Sequence, residues 1–327
     1  TGWSSPSGAS LGTTTLEQAN YYDDYSFLSS SAFSGSGLTS LTGGDATGLL
    51  TGTLSLTSNN VTLCSVNYYD DKGRLTSSQQ TLPYSRKLRT DTQYTFTGKA
   101  SSITETITSG ADTYTLEKYY TYSPYNDQPT QLNVAYGGFM DDVAAGYEYN
   151  DLGRLSKITR PDVSDTQYTY NQRGWLTGIS NTEFSQWLYY ADGGYPAYNG
   201  NLGKMEWRYG NGAVKYCYDF QYENNQLTDA YYYLSSGAST NRYGMTADYD
   251  NNGNLTTLLR YGRLDNASYG LIDNLTYTYN GNQLLSVTDA VDGPNYTGAF
   301  HFIDGNTSGN DYEYDKNGNL KKKKNKN

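Results

Sequence analysis

A short motif built on tyrosine recurs along the chain and limits the folds that it can adopt. In each full copy two tyrosines flank one residue, an aspartate or asparagine follows, and a glycine and a leucine lie six and eight residues after the first tyrosine. Complete, near-complete and shortened copies occur at 67–75, 147–155, 168–176, 220–227, 247–255, 277–284 and 312–320. This recurrence predicts an array of one small unit, in which each copy packs against its neighbours.

The motif predicts a strand, a tight turn and a returning strand. Tyr147 and Tyr149 fall on the same face of a strand, because side chains alternate with a period of two. The aspartate or asparagine accepts hydrogen bonds from the backbone two residues on, and the glycine supplies the positive φ that closes the turn. The returning strand begins with the leucine, which we expect to pack against the tyrosine pair of its own hairpin. A lone hairpin is unstable in water, so the copies must stack.

The composition agrees with a thin sheet packed by tyrosine. Mean hydropathy is -0.74 and only 36% of residues are hydrophobic, yet the chain carries 37 tyrosines, 8 phenylalanines and 4 tryptophans. Disordered chains are poor in aromatics. A tyrosine can bury its ring while its hydroxyl reaches water or a partner, so a sheet can be stabilised without a deep aliphatic core.

Charge and hydropathy also exclude two kinds of partner. No apolar run is long enough to span a bilayer, so we expect no membrane insertion. The net charge of -10 and the pI near 4.6 repel phosphate backbones, so we expect no nucleic-acid partner. The basic stretch 321–324 is the exception, and we interpret it as a solvated end.

Residues 1–60 differ in texture from residues 61–327. The first segment is rich in Ser, Thr and Gly, and its weak alternation predicts short strands and loops that lead into the repeat region. A short helix over 16–25 is an alternative that the local pattern leaves open. The repeat motif occupies the rest of the chain.

The repeats, together with the segments 198–207 and 216–219, resemble the RHS/YD repeats of bacterial rearrangement-hotspot proteins. The segments 198–207 and 216–219 look like the form that these repeats take in proteins of the Bacteroides type, and the resemblance extends more distantly to teneurins. It implies an all-β fold, an array of antiparallel β-hairpin YD repeats forming a curved or spiralling sheet, which is a segment of an RHS shell. It also implies a secreted or cell-surface bacterial protein.

The function that the resemblance implies is structural and not enzymatic. The chain is expected to be wall of a β-shell that encloses or displays another domain, in a polymorphic toxin-type or cell-surface protein. The implied partner is an enclosed C-terminal toxin domain. The alternative is a cell-surface carbohydrate-binding or adhesion module, whose partner is a surface glycan. The sequence does not fix the oligomeric state.

The sequence departs from the toxin-carrying pattern of this family at its end. The aspartate-bearing core segment and the variable domain that follow such shells do not appear before Asn327. We therefore expect a piece of a longer array, and an open, curved sheet in place of a closed cage.

Candidate catalytic groups are few, and we expect no catalytic, cofactor-binding or metal-binding residue. His301 is the only histidine and lies in an apolar-alternating stretch that predicts a strand; no nucleophile motif accompanies it. Paired carboxylates occur at 23–24, 70–71 and 141–142. Neighbours in a strand point to opposite faces and those in turns are usually solvated, so we interpret these pairs as structural and not as a glycosidase pair.

Three further features have a functional alternative. The segment 248–253 matches the first six positions of an EF-hand loop, but Leu259 stands where the bidentate glutamate belongs; we attribute the match to the repeat and leave adventitious calcium as the alternative. Cys64 and Cys217 are expected to be buried thiols, with a disulfide as the alternative. Trp187, Trp207 and the tyrosines at 231–233 would stack on sugars if exposed, although repeat packing explains the same rings.

Overall fold

Antiparallel β-strands joined by tight turns make up nearly all regular structure in the computed structural model. The structure describes residues 18–57, 61–192, 194–237, 242–265, 267–294, 296, 298–306 and 309–324. The chain divides into two compact units, residues 1–163 and 164–327. The composition boundary at residue 60 does not coincide with this division, since residues 18–57 lie in the first unit.

The first unit holds ten strands. They are β1 (Gln18–Asp23), β2 (Ala46–Leu56), β3 (Thr62–Tyr69), β4 (Leu75–Leu82), β5 (Arg86–Tyr94), β6 (Ala100–Ser109), β7 (Asp112–Tyr122), β8 (Pro129–Tyr136), β9 (Phe139–Tyr149) and β10 (Leu155–Arg160). Each strand from β1 to β9 pairs antiparallel with the next strand in the chain. Within the described residues β1 and β10 are not paired with each other, so the ladder of this unit is open.

The second unit repeats this plan. Its strands are β11 (Val163–Tyr170), β12 (Leu176–Ser180), β13 (Phe184–Tyr189), β14 (Lys204–Tyr209), β15 (Tyr216–Glu223), β16 (Gln226–Leu234), β17 (Met245–Tyr249), β18 (Leu255–Arg263), β19 (Tyr269–Asn280) and β20 (Gln283–Asp289), with a separate hairpin of β21 (Tyr312–Tyr314) and β22 (Leu320–Lys323). Strands β11 to β20 again pair in chain order. The predicted all-β array of antiparallel hairpins is confirmed.

The repeat motifs coincide with hairpins, as predicted. In the copy at 147–155, Tyr149 lies opposite Leu155, and the register shifts by one residue just beyond this pair. The same pairing and shift occur at Tyr69 with Leu75 and at Tyr249 with Leu255. An extra residue on one strand bends it and increases its twist. Each motif therefore adds the same local bend to the sheet.

A short helical segment packs on the sheet of the first unit. A 3₁₀ turn (Ser26–Ser29) and one short helix, α1 (Ser31–Ser34), bring Phe27 and Phe33 into a buried cluster with Val66 and Tyr68. Gly52 allows this approach, because a Cβ there would lie 2.4 Å from the Phe27 ring. Each fully buried side chain of this size contributes about 1.5–3 kcal/mol. The cluster fixes the start of the array.

The helix considered for residues 16–25 is wrong over residues 18–23, which form a strand. Gln18–Asp23 form β1, which pairs with β2, and the helical turns come later in the chain. Residues 16 and 17 lie outside the described residues. The pairing with β2 supplies the backbone hydrogen bonds that a brief helical pattern could not stabilise alone.

Two further features of the described residues bear on the expectations. None of their helices is long and apolar enough to cross a membrane. The first three residues of the basic stretch 321–324 are exposed, as expected, but they belong to β22. Lys324 is half-buried, and its Nζ lies 2.5 Å from Glu313 Oε1. This stretch is therefore the second strand of a hairpin.

Candidate functional site

The turn of each motif is closed by one carboxylate or amide side chain. In the turn after β9, Asn150 Oδ1 accepts hydrogen bonds from Leu152 N and Arg154 N at 3.0 Å each, and Gly153 has φ +73°. The same two acceptor bonds recur, at 2.8–3.0 Å, at the side chains of Asp70, Asn171, Asp250 and Asp315. The expected role of the Asx and Gly positions is confirmed.

A second contact joins successive hairpins, and the sequence analysis did not foresee it. The hydroxyl of Tyr149 donates to the carbonyl oxygen of Pro129, the first residue of the return strand in the preceding hairpin, at 2.8 Å. We call this contact a tyrosine link. In the first unit Tyr69, Tyr94 and Tyr122 make the same link to the carbonyl oxygens of Leu50, Leu75 and Ala100, respectively. In the second unit the donors are Tyr190, Tyr249, Tyr279 and Tyr314, over 2.9–3.0 Å.

The hydroxyls that form the tyrosine links are partly buried from solvent. Burial raises the pKa of the Tyr69, Tyr122, Tyr149, Tyr190 and Tyr279 hydroxyls above the ordinary value. The neutral phenol, which is the hydrogen-bond donor, is thus the favoured form. Each link ties one hairpin to the next along the edge where the turns lie.

Three of the linking residues escaped the motif. Tyr94, Tyr122 and Tyr190 lack the Asx that directly follows the second tyrosine of a copy and the closing Leu, although Tyr94 and Tyr190 keep the glycine four residues on. A weaker signal was present, since Tyr69, Tyr94, Tyr122 and Tyr149 follow one another at intervals of 25, 28 and 27 residues. Other tyrosines lie at similar spacings, among them Tyr119, Tyr120 and Tyr125, so this signal does not by itself identify the donors.

The rings expected to stack on sugars are mostly engaged with protein. Trp207 stacks on Tyr216 and Tyr218, with ring centroids 5.6 and 5.8 Å apart, and it tilts against Tyr232, which is buried. Trp187 lies on the other face of the sheet, with Lys215 Nζ 4.3 Å from its ring. Repeat packing therefore accounts for these two tryptophans.

A charged cluster shares the face of Trp187. Glu206 is buried, and its carboxylate binds Lys204 Nζ at 2.8 Å, Lys215 Nζ at 2.7 Å and the hydroxyl of Tyr189 at 3.1 Å. Burial alone would raise the pKa of Glu206, but the two lysines outweigh it and hold the pKa below the usual range. Burial likewise opposes the charge of Lys204, and the bonds to Glu206 and Tyr233 raise its pKa nevertheless. All four groups satisfy one another.

A cleft of about 1010 Å³ opens beside this face, between the loop 194–201 and the end of β15. Its aromatic lining comes from Tyr195, Tyr198, Phe220 and Tyr222. Tyr198 is 67% exposed and Tyr195 is 43% exposed. These are open rings, in contrast to Trp207.

The rest of this lining consists mainly of amide side chains, and we call the space the amide cleft. They belong to Asn199, Asn201, Gln221, Asn224 and Asn225. None of the described lining residues is charged. Asn199 Nδ2 donates to Asn225 Oδ1 across the cleft, and Asn201 N donates to Asn199 Oδ1 at 3.1 Å. The buried Asn201 Nδ2 has no hydrogen-bond partner.

His301 lies in a loop, and the predicted strand around it is wrong. Residues 299–306 have no strand pairing, because the amide of Phe302 donates to the buried carboxylate of Asp273 at 2.5 Å. The imidazole packs so closely over Gly293 that a Cβ there would lie 2.3 Å from it. Its Nδ1 is buried and makes no hydrogen bond. Within the described residues no hydrogen bond links His301 to a nucleophile.

The paired carboxylates are used separately. Asp24 Oδ1 caps the turn at Ser26, whereas Asp23 Oδ1 accepts from Gly48 N at 2.7 Å. Asp70 closes its own turn and binds Arg74, with 2.6 Å between Arg74 Nη2 and Asp70 Oδ2. The side chains at 141–142 lie outside the described residues. The pairs that can be seen do not share a reacting site.

The loop that resembled a calcium site uses its carboxylates for the hairpin. Asp250 accepts two backbone bonds through Oδ1 and one from Asn254 Nδ2 through Oδ2. Asp248 Oδ2 accepts from Thr257 Oγ1 at 2.5 Å. In the described part of the chain no three His, Cys, Asp or Glu side chains gather as metal ligands would.

The two cysteines are buried thiols, as expected, and not a disulfide. Cys64 lies in β3 within the apolar cluster of the first unit, and Cys217 lies in β15. Burial raises the pKa of both thiols. A raised pKa disfavours the reactive thiolate.

Comparison with known proteins yields only weak similarities. No family model and no curated protein matches the chain. The crystal structure of TcdB2-TccC3 matches 84% of this chain at 12% identity, with a TM-score of 0.37. The form without the hypervariable C-terminal region matches the same share at the same identity and TM-score.

The crystal structure of TcdB2-TccC3-Cdc42 matches 74% of this chain at 14% identity, with a TM-score of 0.35. The chain spans 14% to 19% of the length of these three structures' chains.

Proposed function

We propose that this chain is a non-catalytic structural segment, the wall of an RHS-type β-shell that encloses or displays another domain. The tyrosine links carry the proposal. They join successive hairpins through one repeated contact between a tyrosine hydroxyl and a backbone carbonyl. A wall requires contacts of this kind, which can be repeated along a sheet of any length.

The charges of the chain support a structural role. The most buried carboxylates are Asp273, Asp311 and Glu206, and each binds protein groups: Arg260 at 2.5 Å, the backbone of Val287 at 2.8 Å, and the two lysines of the charged cluster. A general base needs a carboxylate that is open to substrate. We therefore propose that the chain is not an enzyme, and unchanged levels of model glycosides, esters and peptides on incubation are the expected result.

The partner of the wall, on this proposal, is a toxin-type domain, and the protein is secreted or lies at the bacterial cell surface. Limited proteolysis of the polypeptide encoded by the complete reading frame tests this. We expect a flanking domain to survive trypsin concentrations that degrade the same domain expressed alone. Equal cleavage of the two forms would contradict enclosure, and recovery of the protein only from the cytoplasm would contradict the location.

A cell-surface adhesion module is the second candidate, and the amide cleft favours it. This cleft presents open tyrosine rings and uncharged amides, which a wall does not need. The adhesion role is tested by glycan binding, and the wall role by proteolysis, so each can fail without the other.

A further inference from the structure

We propose that the amide cleft binds a neutral oligosaccharide, and that Tyr195 and Tyr198 are the rings on which its sugar units stack. The inference deepens the adhesion alternative and does not depend on the wall role. It differs from the sequence-based platform at Trp187 and Trp207, whose rings are engaged with neighbouring side chains.

The rings of the cleft are free to meet a ligand. The carbonyl oxygen of Tyr198 accepts from Arg173 Nη1 at 2.7 Å, and the residue as a whole is 67% exposed. Tyr195 is supported from one side by Tyr231, with ring centroids 6.4 Å apart. A sugar ring carries C–H groups on its faces and hydroxyls on its edges, so it covers an aromatic face and still needs polar partners around it.

The amides supply those partners. Each amide side chain carries both donors and acceptors, which suits a hydroxyl that also does both. The bonds of Asn199 with Asn225 and Asn201 hold the walls in place before a ligand arrives. Asn201 Nδ2 is a buried donor without an acceptor, which is unfavourable, and a small rotation of this amide towards the cleft would let a ligand oxygen satisfy it.

The uncharged lining of the amide cleft favours neutral ligands over charged ones. A charged sugar would lose water without meeting an opposite charge there, and an acidic one would also be repelled by the net charge of -10. The same repulsion disfavours nucleic acid, whose bases also stack on aromatic rings. A neutral glycan is the class that meets no such penalty.

Binding is tested with the 327-residue chain and defined hexasaccharides. The probes are neutral oligomers of glucose, mannose, xylose and N-acetylglucosamine, with an oligogalacturonate as the acidic comparison and calorimetry as the readout. We expect at least one neutral oligomer to bind and the oligogalacturonate not to bind. Failure of every neutral probe, or binding of the acidic probe alone, would overturn the proposal.

Three variants locate the site. Tyr198→Ala and Tyr195→Ala should each weaken binding about fivefold, since one aromatic contact is removed. Tyr125→Ala is the matched control, because its ring is 95% exposed but lies in a turn of the first unit. Unchanged affinity in both cleft variants, or an equal loss in the control, would place the glycan elsewhere and refute the assignment.

Discussion

Removal of a single hydroxyl should reveal how much one tyrosine link stabilises the array. In Tyr149→Phe the ring and its packing stay, and only the 2.8 Å bond to the Pro129 carbonyl oxygen is lost. A hydrogen bond of this kind contributes about 0.5–1.5 kcal/mol net. Pro129 is half-buried, so water can reach part of the carbonyl that is left behind. We therefore expect a loss of about 1 kcal/mol in the free energy of unfolding.

Tyr147→Phe is the matched control for this change. Tyr147 belongs to the same motif and is also half-buried, and the structure shows no hydrogen bond from its hydroxyl within the described residues. Its replacement should alter stability by less than about 0.5 kcal/mol. Both variants are compared by urea unfolding, where a lower midpoint with an unchanged slope indicates a stability change.

Hydrogen exchange locates the effect in the chain. Peptides that cover β8 to β10 should exchange faster in Tyr149→Phe than in the parent, because local opening becomes easier. Peptides from β3 and β4 should be unaffected. If Tyr149→Phe and Tyr147→Phe shifted the urea midpoint equally, the link would be incidental to the packing of the ring, and the account of how hairpins are joined would be wrong.

Three other predictions concern the turns, the charged cluster and alkaline pH. Gly153→Val should cost about 1–2 kcal/mol because φ is +73° there, whereas Gly35→Val, at negative φ and in open space, should cost little in the same urea assay. Glu206→Gln should lower the free energy of unfolding by about 2 kcal/mol, because it leaves two half-buried lysines without a counter-charge. Its control is Glu148→Gln, in a more exposed ion pair, which should change the free energy of unfolding by less than about 0.5 kcal/mol. Burial raises the pKa of Tyr218 to about 12, so on raising the pH this tyrosine ionises in the unfolded state before it ionises in the folded state. The stabilisation by neutral Tyr218 should therefore be full below pH 10 and be lost as the pH rises to about 12. Tyr218→Phe should flatten that fall in thermal melts between pH 9 and 12.

The hairpins could be predicted from the sequence because their determinants are local. An alternating tyrosine pair, an Asx side chain and a glycine within nine residues specify both strands and the turn, and all of these groups interact within the copy itself. The order of strand pairing followed as well, since neighbouring hairpins had no other partners.

The contacts between hairpins could not be predicted in the same way. The acceptor of each link is a backbone carbonyl 14 to 30 residues earlier. Several acceptors belong to the closing leucine of a motif, but the bond is made by the main chain, which every residue has, so the motif does not show that the carbonyl is used. The strand predicted around His301 was wrong for a related reason. Its alternating apolar residues satisfy a strand pattern, but the amide that would join a ladder is taken by Asp273, which is distant in sequence.

The amide cleft was also beyond sequence reasoning. Tyrosine and asparagine are abundant throughout the chain, so their presence in the segment 194–201 carries no signal. Exposure separates Tyr198 from the packed ring of Tyr232, and exposure depends on where the long β13–β14 connection lies over β15.

The tyrosine link requires a particular side chain, tyrosine, on only one of the two hairpins that it joins. The acceptors seen here belong to leucine, alanine and proline, because any residue offers a carbonyl. A copy that keeps its tyrosine can therefore follow any other copy without a matched change in it. Duplication, loss or exchange of repeats would preserve the joint, so arrays of this kind can change length by recombination while each junction stays intact.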